Sequence, residues 1–178
     1  MAETGNPDGV SSFDEFFVAE YPRLVRVAMS AGATFPQAEE AAQEAALQAF
    51  RSWDRLTNPS AWSRKAVLHE YYKAIARDLR ELELTHKALR KGSVADLAAD
   101  STEESDEVHR VRQAIRRLPR AQREVFALIY DGYGAPEIAM ILGKTPETVR
   151  SNLREARRRL VRELGEPTGG DEESTEEV

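Results

Sequence analysis

Between residues 136 and 164 the apolar positions fall on two helices joined by a tight turn. PEIAMIL is short and amphipathic, Gly143 and Lys144 make the turn, and TPETVRSNLREARRRLVREL opens a second helix. In the second helix Val149, Leu153, Ala156 and Leu160 recur at i, i+4, i+7 and i+11, one apolar stripe turned to a core. Thr145 is placed to cap it, and Pro146 takes the first helical position, where a missing N–H costs nothing. Glu147, Thr148, Arg150, Ser151, Arg154, Arg157 and Arg158 are left on the outer face or its flanks. A helix entered this sharply, with a basic outer face, has the size and charge to lie in a DNA major groove. Its first residues would reach base edges and the later arginines phosphates. The alternative is a solvated charged face in an ordinary bundle; turn, cap and spacing together favour the helix-turn-helix.

The rest of the chain is helical in pattern and shows no period-2 strand signal of useful length. A first module covers residues 13–81. Phe13, Phe16 and Phe17 begin an apolar face that continues through Tyr21, Leu24, Val25 and Ala28, with Pro22 marking a kink or a helix start. From Pro36, PQAEEAAQEAALQAFRSW is a strong helix by propensity, offering Ala38, Ala42, Ala45, Leu47, Ala49 and Phe50 for packing. DRLTNP reads as a loop, and Ser60 as the cap of a third helix. Residues 82–105 lose periodicity and turn acidic, which predicts a flexible linker longer than ordinary loops. A second module covers residues 106–164: a helix with Val108, Val111, Ile115 and Leu118 on one face, a break at Pro119, a helix over 120–130, two glycines, then the helix-turn-helix. Residues 1–12 and the acidic tail 165–178 have too little apolar content to order themselves. The expected fold is all-α, two small helical domains on a flexible acidic tether.

Charge changes this picture. The net charge of −6 argues against DNA binding until it is divided along the chain. Residues 108–164 carry 13 basic and 6 acidic groups, while the tail carries 6 acidic groups and no base. The positive segment, with acid on both sides, is the electrostatic footprint of a nucleic-acid reader. With no Cys, the chain has no disulfide, thiolate metal site or cysteine nucleophile, and its three histidines form no zinc motif. There is no phosphate-binding loop and no catalytic constellation, so neither an enzyme nor a cofactor is expected. Without a signal peptide or a membrane-spanning run, the expected location is the cytoplasm.

The order of parts resembles the extracytoplasmic-function (ECF) sigma factors, the smallest bacterial sigma factors. The resemblance rests on FDEFFVAEYPRLVRVA, AEEAAQEAALQAFRSWDRLTNPSAW and LPRAQREVFALIYDGYGAPEIAMILGKTPETVRSNLREARRRL. It implies an N-terminal region 2 and a C-terminal region 4, acting with core RNA polymerase and promoter DNA, with an anti-sigma factor as a candidate partner. It assigns Glu40, Gln43, Glu44 and Gln48 to the polymerase, as a polar stripe able to meet arginines. It assigns Asn58, Arg64, Lys65, His69, Tyr72, Lys73 and Arg77 to the minus-10 element, where opening DNA needs a base pocket and a backbone track. It assigns Lys144, Glu147, Thr148, Arg150, Ser151, Arg154, Arg157 and Arg158 to the minus-35 element. Trp53 and Trp62 read as packing residues. Two departures stand out. Leu68-His69-Glu70-Tyr71-Tyr72 replaces a denser basic run, with Tyr72 able to compensate by stacking, and Asn152 stands where relatives often carry a base. The acidic linker is either an RNA-like occupant of the polymerase channel or a plain tether. The competing readings are a helix-turn-helix repressor or activator working without polymerase, and a sigma-like regulator that sequesters polymerase or an anti-sigma factor.

Overall fold

In the first helix, α1 (Phe13–Ser30), Phe16, Leu24, Val25, Val27 and Ala28 form the buried stripe. Ser12 caps the helix by accepting from the Glu15 N–H. The computed structural model describes residues 12–89 and 105–165, and the side chains of 12–84 and 105–165. Pro22 neither starts nor divides α1, which runs through it. The ring faces solvent, and the carbonyl it deprives of a donor is that of exposed Val18, where water can replace the lost bond.

Helix α2 (Phe35–Ser52) begins with a capping box: the Thr34 hydroxyl accepts from the Gln37 N–H, and the Gln37 side chain accepts from the Thr34 N–H. Its inner face is alanine throughout, with Ala38, Ala41, Ala42, Ala45, Ala46 and Ala49 buried. Leu47 and Phe50, expected in the core, lie on the exposed side at 41% and 59%. The small residues let the backbone of α2 approach its neighbours, and the bulkier ones are turned out. Phe50 instead packs edge-on to Phe13, which also meets Trp53.

A 3-10 turn, Trp53–Arg55, leads to α3 (Pro59–Leu89). The cap of α3 is Asn58, not Ser60: its side-chain oxygen accepts from the Ala61 N–H at 2.8 Å, and Pro59 follows at the first helical position. The helix continues to Leu89, past the expected end near residue 81. The greater part of the predicted linker, and the tail beyond Gly165, lie outside the described residues.

The second module is α4 (Asp106–Arg117), α5 (Arg120–Tyr130), α6 (Ala135–Leu142) and α7 (Pro146–Leu164). Among the described residues the chain is all helical, with no strand. The two modules do not stand apart. Leu24, Val27, Ala28, Ala42, Val67 and Tyr71 of the first join Val125, Leu128, Ile138 and Val149 of the second in one continuous apolar cluster. α1 packs on α5 and α3 on α6. Gly32 permits this approach. Its φ of +98° suits glycine, and a Cβ there would lie 2.9 Å from the Arg116 Cγ.

Candidate nucleic-acid interface

The helix-turn-helix is fixed by local chemistry. α6 ends on Gly143 in the left-handed conformation (φ 65°), and the Lys144 N–H reaches back to the Ala139 carbonyl. The Thr145 hydroxyl caps α7 by accepting from the Thr148 N–H at 3.2 Å. Val149 and Ala156 are buried, with Leu153 and Leu160 partly so, which turns the opposite face outward. Glu147, Thr148, Arg150, Ser151, Arg154, Arg157 and Arg158 are all exposed on it. Two of its arginines are held by acids on the same helix: Arg150 by Glu147 at 3.3 Å and Arg158 by Glu155 at 2.6 Å. The Glu147 carboxyl lies below its ordinary range, chiefly because it accepts a backbone N–H in the first turn of α7. The Asn152 amide donates to the Thr148 carbonyl at 2.8 Å, so it is turned along its own helix.

The four residues of the α2 stripe separate. Glu40, Gln43 and Glu44 are exposed. Gln48 is half-buried and donates to Glu70 of α3 at 2.9 Å. Burial would raise the Glu70 carboxyl, but bonds from Gln48, Lys73 and His69 outweigh it and hold the group below its ordinary range.

The seven minus-10 candidates divide more sharply. Asn58 is occupied as the α3 cap. Lys65 and His69 are exposed and line a groove with Arg120 and Lys144, where a helix of each module meets. Lys73 and Arg77 point the other way, into a groove against α2 that also contains Glu40 and Glu44. There Arg77 pairs with Glu40 at 3.2 Å and Lys73 with Glu70 at 2.9 Å. Arg64 and Tyr72 are at the junction of the modules, only 2% and 7% exposed.

Arg64 donates to Glu20 at 2.5 Å, to Asp131 at 2.8 Å and to the Ser60 carbonyl at 3.1 Å. Burial would depress its basicity, and the two carboxylates more than reverse this. The guanidinium also lies 5.0 Å from the Tyr133 ring centre. Tyr72 has Arg120 and Arg123 over its ring at 4.5 and 4.9 Å, and burial raises its hydroxyl well above the ordinary range.

Glu20, Asp131, Arg120 and Arg123 thus enter the site from outside the sequence-derived set. Glu20 had a signal: with Phe16 and Leu24 it falls at i, i+4, i+8 on the buried stripe of α1, and a carboxylate there needs a cation. Among the described residues no group of His, Asp and Glu could hold a metal ion, and no helix is long and apolar enough to cross a membrane.

The family described as Sigma-70, region 4 matches residues 109–160, that is α4 to α7. Over 160 residues the chain is 31% identical to the ECF RNA polymerase sigma factor SigM of Mycobacterium tuberculosis, covering 86% of this chain and 78% of that protein. The chain belongs to the ECF sigma factor family. Two solved structures share its fold. The sigma factor RpoE, in a co-crystal with the anti-sigma factor NepR from Bartonella quintana, superposes with a TM-score of 0.66 at 24% identity, covering 87% of this chain and 98% of that one. CnrH, in complex with the cytosolic domain of CnrY, gives 0.59 at 22% identity, with coverage of 85% and 86%. The family places this ECF protein in transcription initiation and its C-terminal module among DNA-binding domains.

Proposed function

We propose that this ECF sigma factor binds core RNA polymerase and directs promoter-specific initiation without catalytic chemistry of its own. Residues 106–164 read the minus-35 element through α7, and residues 13–81 bind the polymerase and the melted minus-10 strand. The observation that carries this reading is α7: a capped helix entered across a left-handed glycine, with its apolar stripe buried and four of the assigned arginines exposed on the outer face. Exposed Glu40, Gln43 and Glu44 on α2 support polymerase docking, since a polar stripe on a rigid helix can meet basic side chains without unfolding anything. Lys65 and His69 are among the exposed minus-10 candidates and lie in the groove where the modules meet. The anti-sigma factor NepR in the complex with RpoE supports an anti-sigma factor as a further partner, acting with the protein in the cytoplasm.

Run-off transcription tests the reading, using core polymerase from the source bacterium and a pool of its upstream regions. New discrete 5′ ends that depend on the protein are expected. Polymerase binding without transcripts would instead make it a sequestering regulator. Retention of duplex DNA with no polymerase binding would make it a conventional repressor or activator.

A further inference from the structure

Two of the side chains that hold the two modules together, Arg64 and Tyr72, are ones expected on DNA. Arg64 carries the clearest of them, with Glu20 of its own module on one side and Asp131 of the other module opposite. The Asp131 side chain is 2% exposed, and its second oxygen takes Arg26 at 3.1 Å. Arg116 crosses the junction at a second point, donating to the Gly32 carbonyl and to Gln37, each at 2.7 Å. Arg120 and Arg123 cross at a third, over Tyr72.

Two features of this junction would let it open and close. The first is asymmetry. If the modules part, Arg64 keeps Glu20, so the first module is not left with a bare buried cation, while Asp131 passes into water. The second is chemical mimicry. A guanidinium between carboxylates has the same requirements as one on a phosphate: planar, charge-assisted hydrogen bonds. The 15 residues between Leu89 and Ser105 can extend about 50 Å, so the modules can separate without breaking the chain.

We propose that the packed arrangement is a self-inhibited state, in which Asp131 locks the modules together by occupying Arg64 and so withholds Arg64 and Tyr72 from single-stranded nucleic acid. What is withheld rests on the reading under Proposed function; the lock itself does not.

The full chain lacks cysteine, so Ala76→Cys on α3 and Val161→Cys on α7, both exposed, allow two dyes to report the separation of the modules. Asp131→Asn keeps the shape of the side chain and removes its charge. It is expected to lower energy transfer and to tighten binding of a random-sequence 20-nucleotide single strand. Apparent affinity scales with the open fraction, so the gain should be on the order of tenfold. Adding Arg64→Ala should abolish that gain while transfer stays low. Arg116→Ala cuts the second crossing point, and it carries the same expectation if Asp131→Asn fails to fold by circular dichroism. Unchanged transfer in both single variants overturns the lock. Lowered transfer without tighter strand binding overturns the self-inhibition. Opening with tighter binding, in a protein that drives no run-off transcript, leaves the lock standing and removes only the sigma-factor activity.

Discussion

Arg64 and Asp131 are 67 residues apart in sequence and 2.8 Å apart in space, each with a side chain only 2% exposed. A charge pair so far from water is costly to form and more costly to break on one side. Arg64→Ala would take from Glu20 and Asp131 the buried cation they share, leaving each only a more exposed arginine, Arg23 at 3.2 Å and Arg26 at 3.1 Å. A loss of about 1–3 kcal/mol is expected, read as a lower denaturant midpoint in equilibrium unfolding.

The turn of the helix-turn-helix offers a cleaner local test. Thr145→Ala removes the α7 cap and should cost about 1 kcal/mol. At Gly143, with φ 65° and nothing within 4 Å of an added Cβ, alanine meets no clash and only the left-handed conformation is penalised. The cost of Gly143→Ala should be about 1–2 kcal/mol. Thermal melts of the two variants and their double mutant would show whether the effects add.

Glu70 ties acid sensitivity to a specific site. Its carboxyl titrates lower in the folded chain than in the unfolded one, so its contribution is full above the unfolded value and is lost as pH falls through the folded value. Glu70→Gln should therefore be less stable than the parent near neutral pH. The two stabilities should converge as pH drops below the carboxylate range, in a comparison of unfolding free energies across pH.

On the outer face of α7, base readers and phosphate binders separate by salt dependence. Arg157→Ala, further from the N-terminus, is expected to weaken binding of all duplexes alike and to reduce the salt slope by about 1. Arg150→Ala, in the first turns, is expected to cost about 1–3 kcal/mol and to relax sequence preference. Titrations of matched and scrambled minus-35 duplexes over a range of salt concentrations would distinguish these outcomes.

The sequence was most legible where the controlling interaction is local. Thr145, Pro146 and Gly143 define the helix-turn-helix within a few residues of one another. The Asn58-Pro59 pair has the same cap-then-proline logic as Thr145-Pro146, and reading it would have placed the start of α3 correctly. Leu47 and Phe50 misled because propensity says that α2 is a helix but not which side faces inward; the close approach admitted only alanine there. The fate of Arg64 and Tyr72 was hidden for another reason. Their partners come from another module, and no periodicity within α3 reveals that Asp131, Arg120 and Arg123 will close over them. Gln48 sits at the right spacing for the α2 stripe, and only its bond to Glu70 reveals that it faces α3.

The alanine face of α2 has a consequence for how the protein can change. Where a seam is built from single methyl groups, only a change to glycine shortens a side chain, at a cost to the helix, and almost any enlargement pushes two helices apart. The exposed stripe on α2 and the exposed positions on α3 are therefore held at a set spacing, like two marks on one ruler. Either set of contacts can be retuned one side chain at a time, but Ala42→Val would move both marks at once.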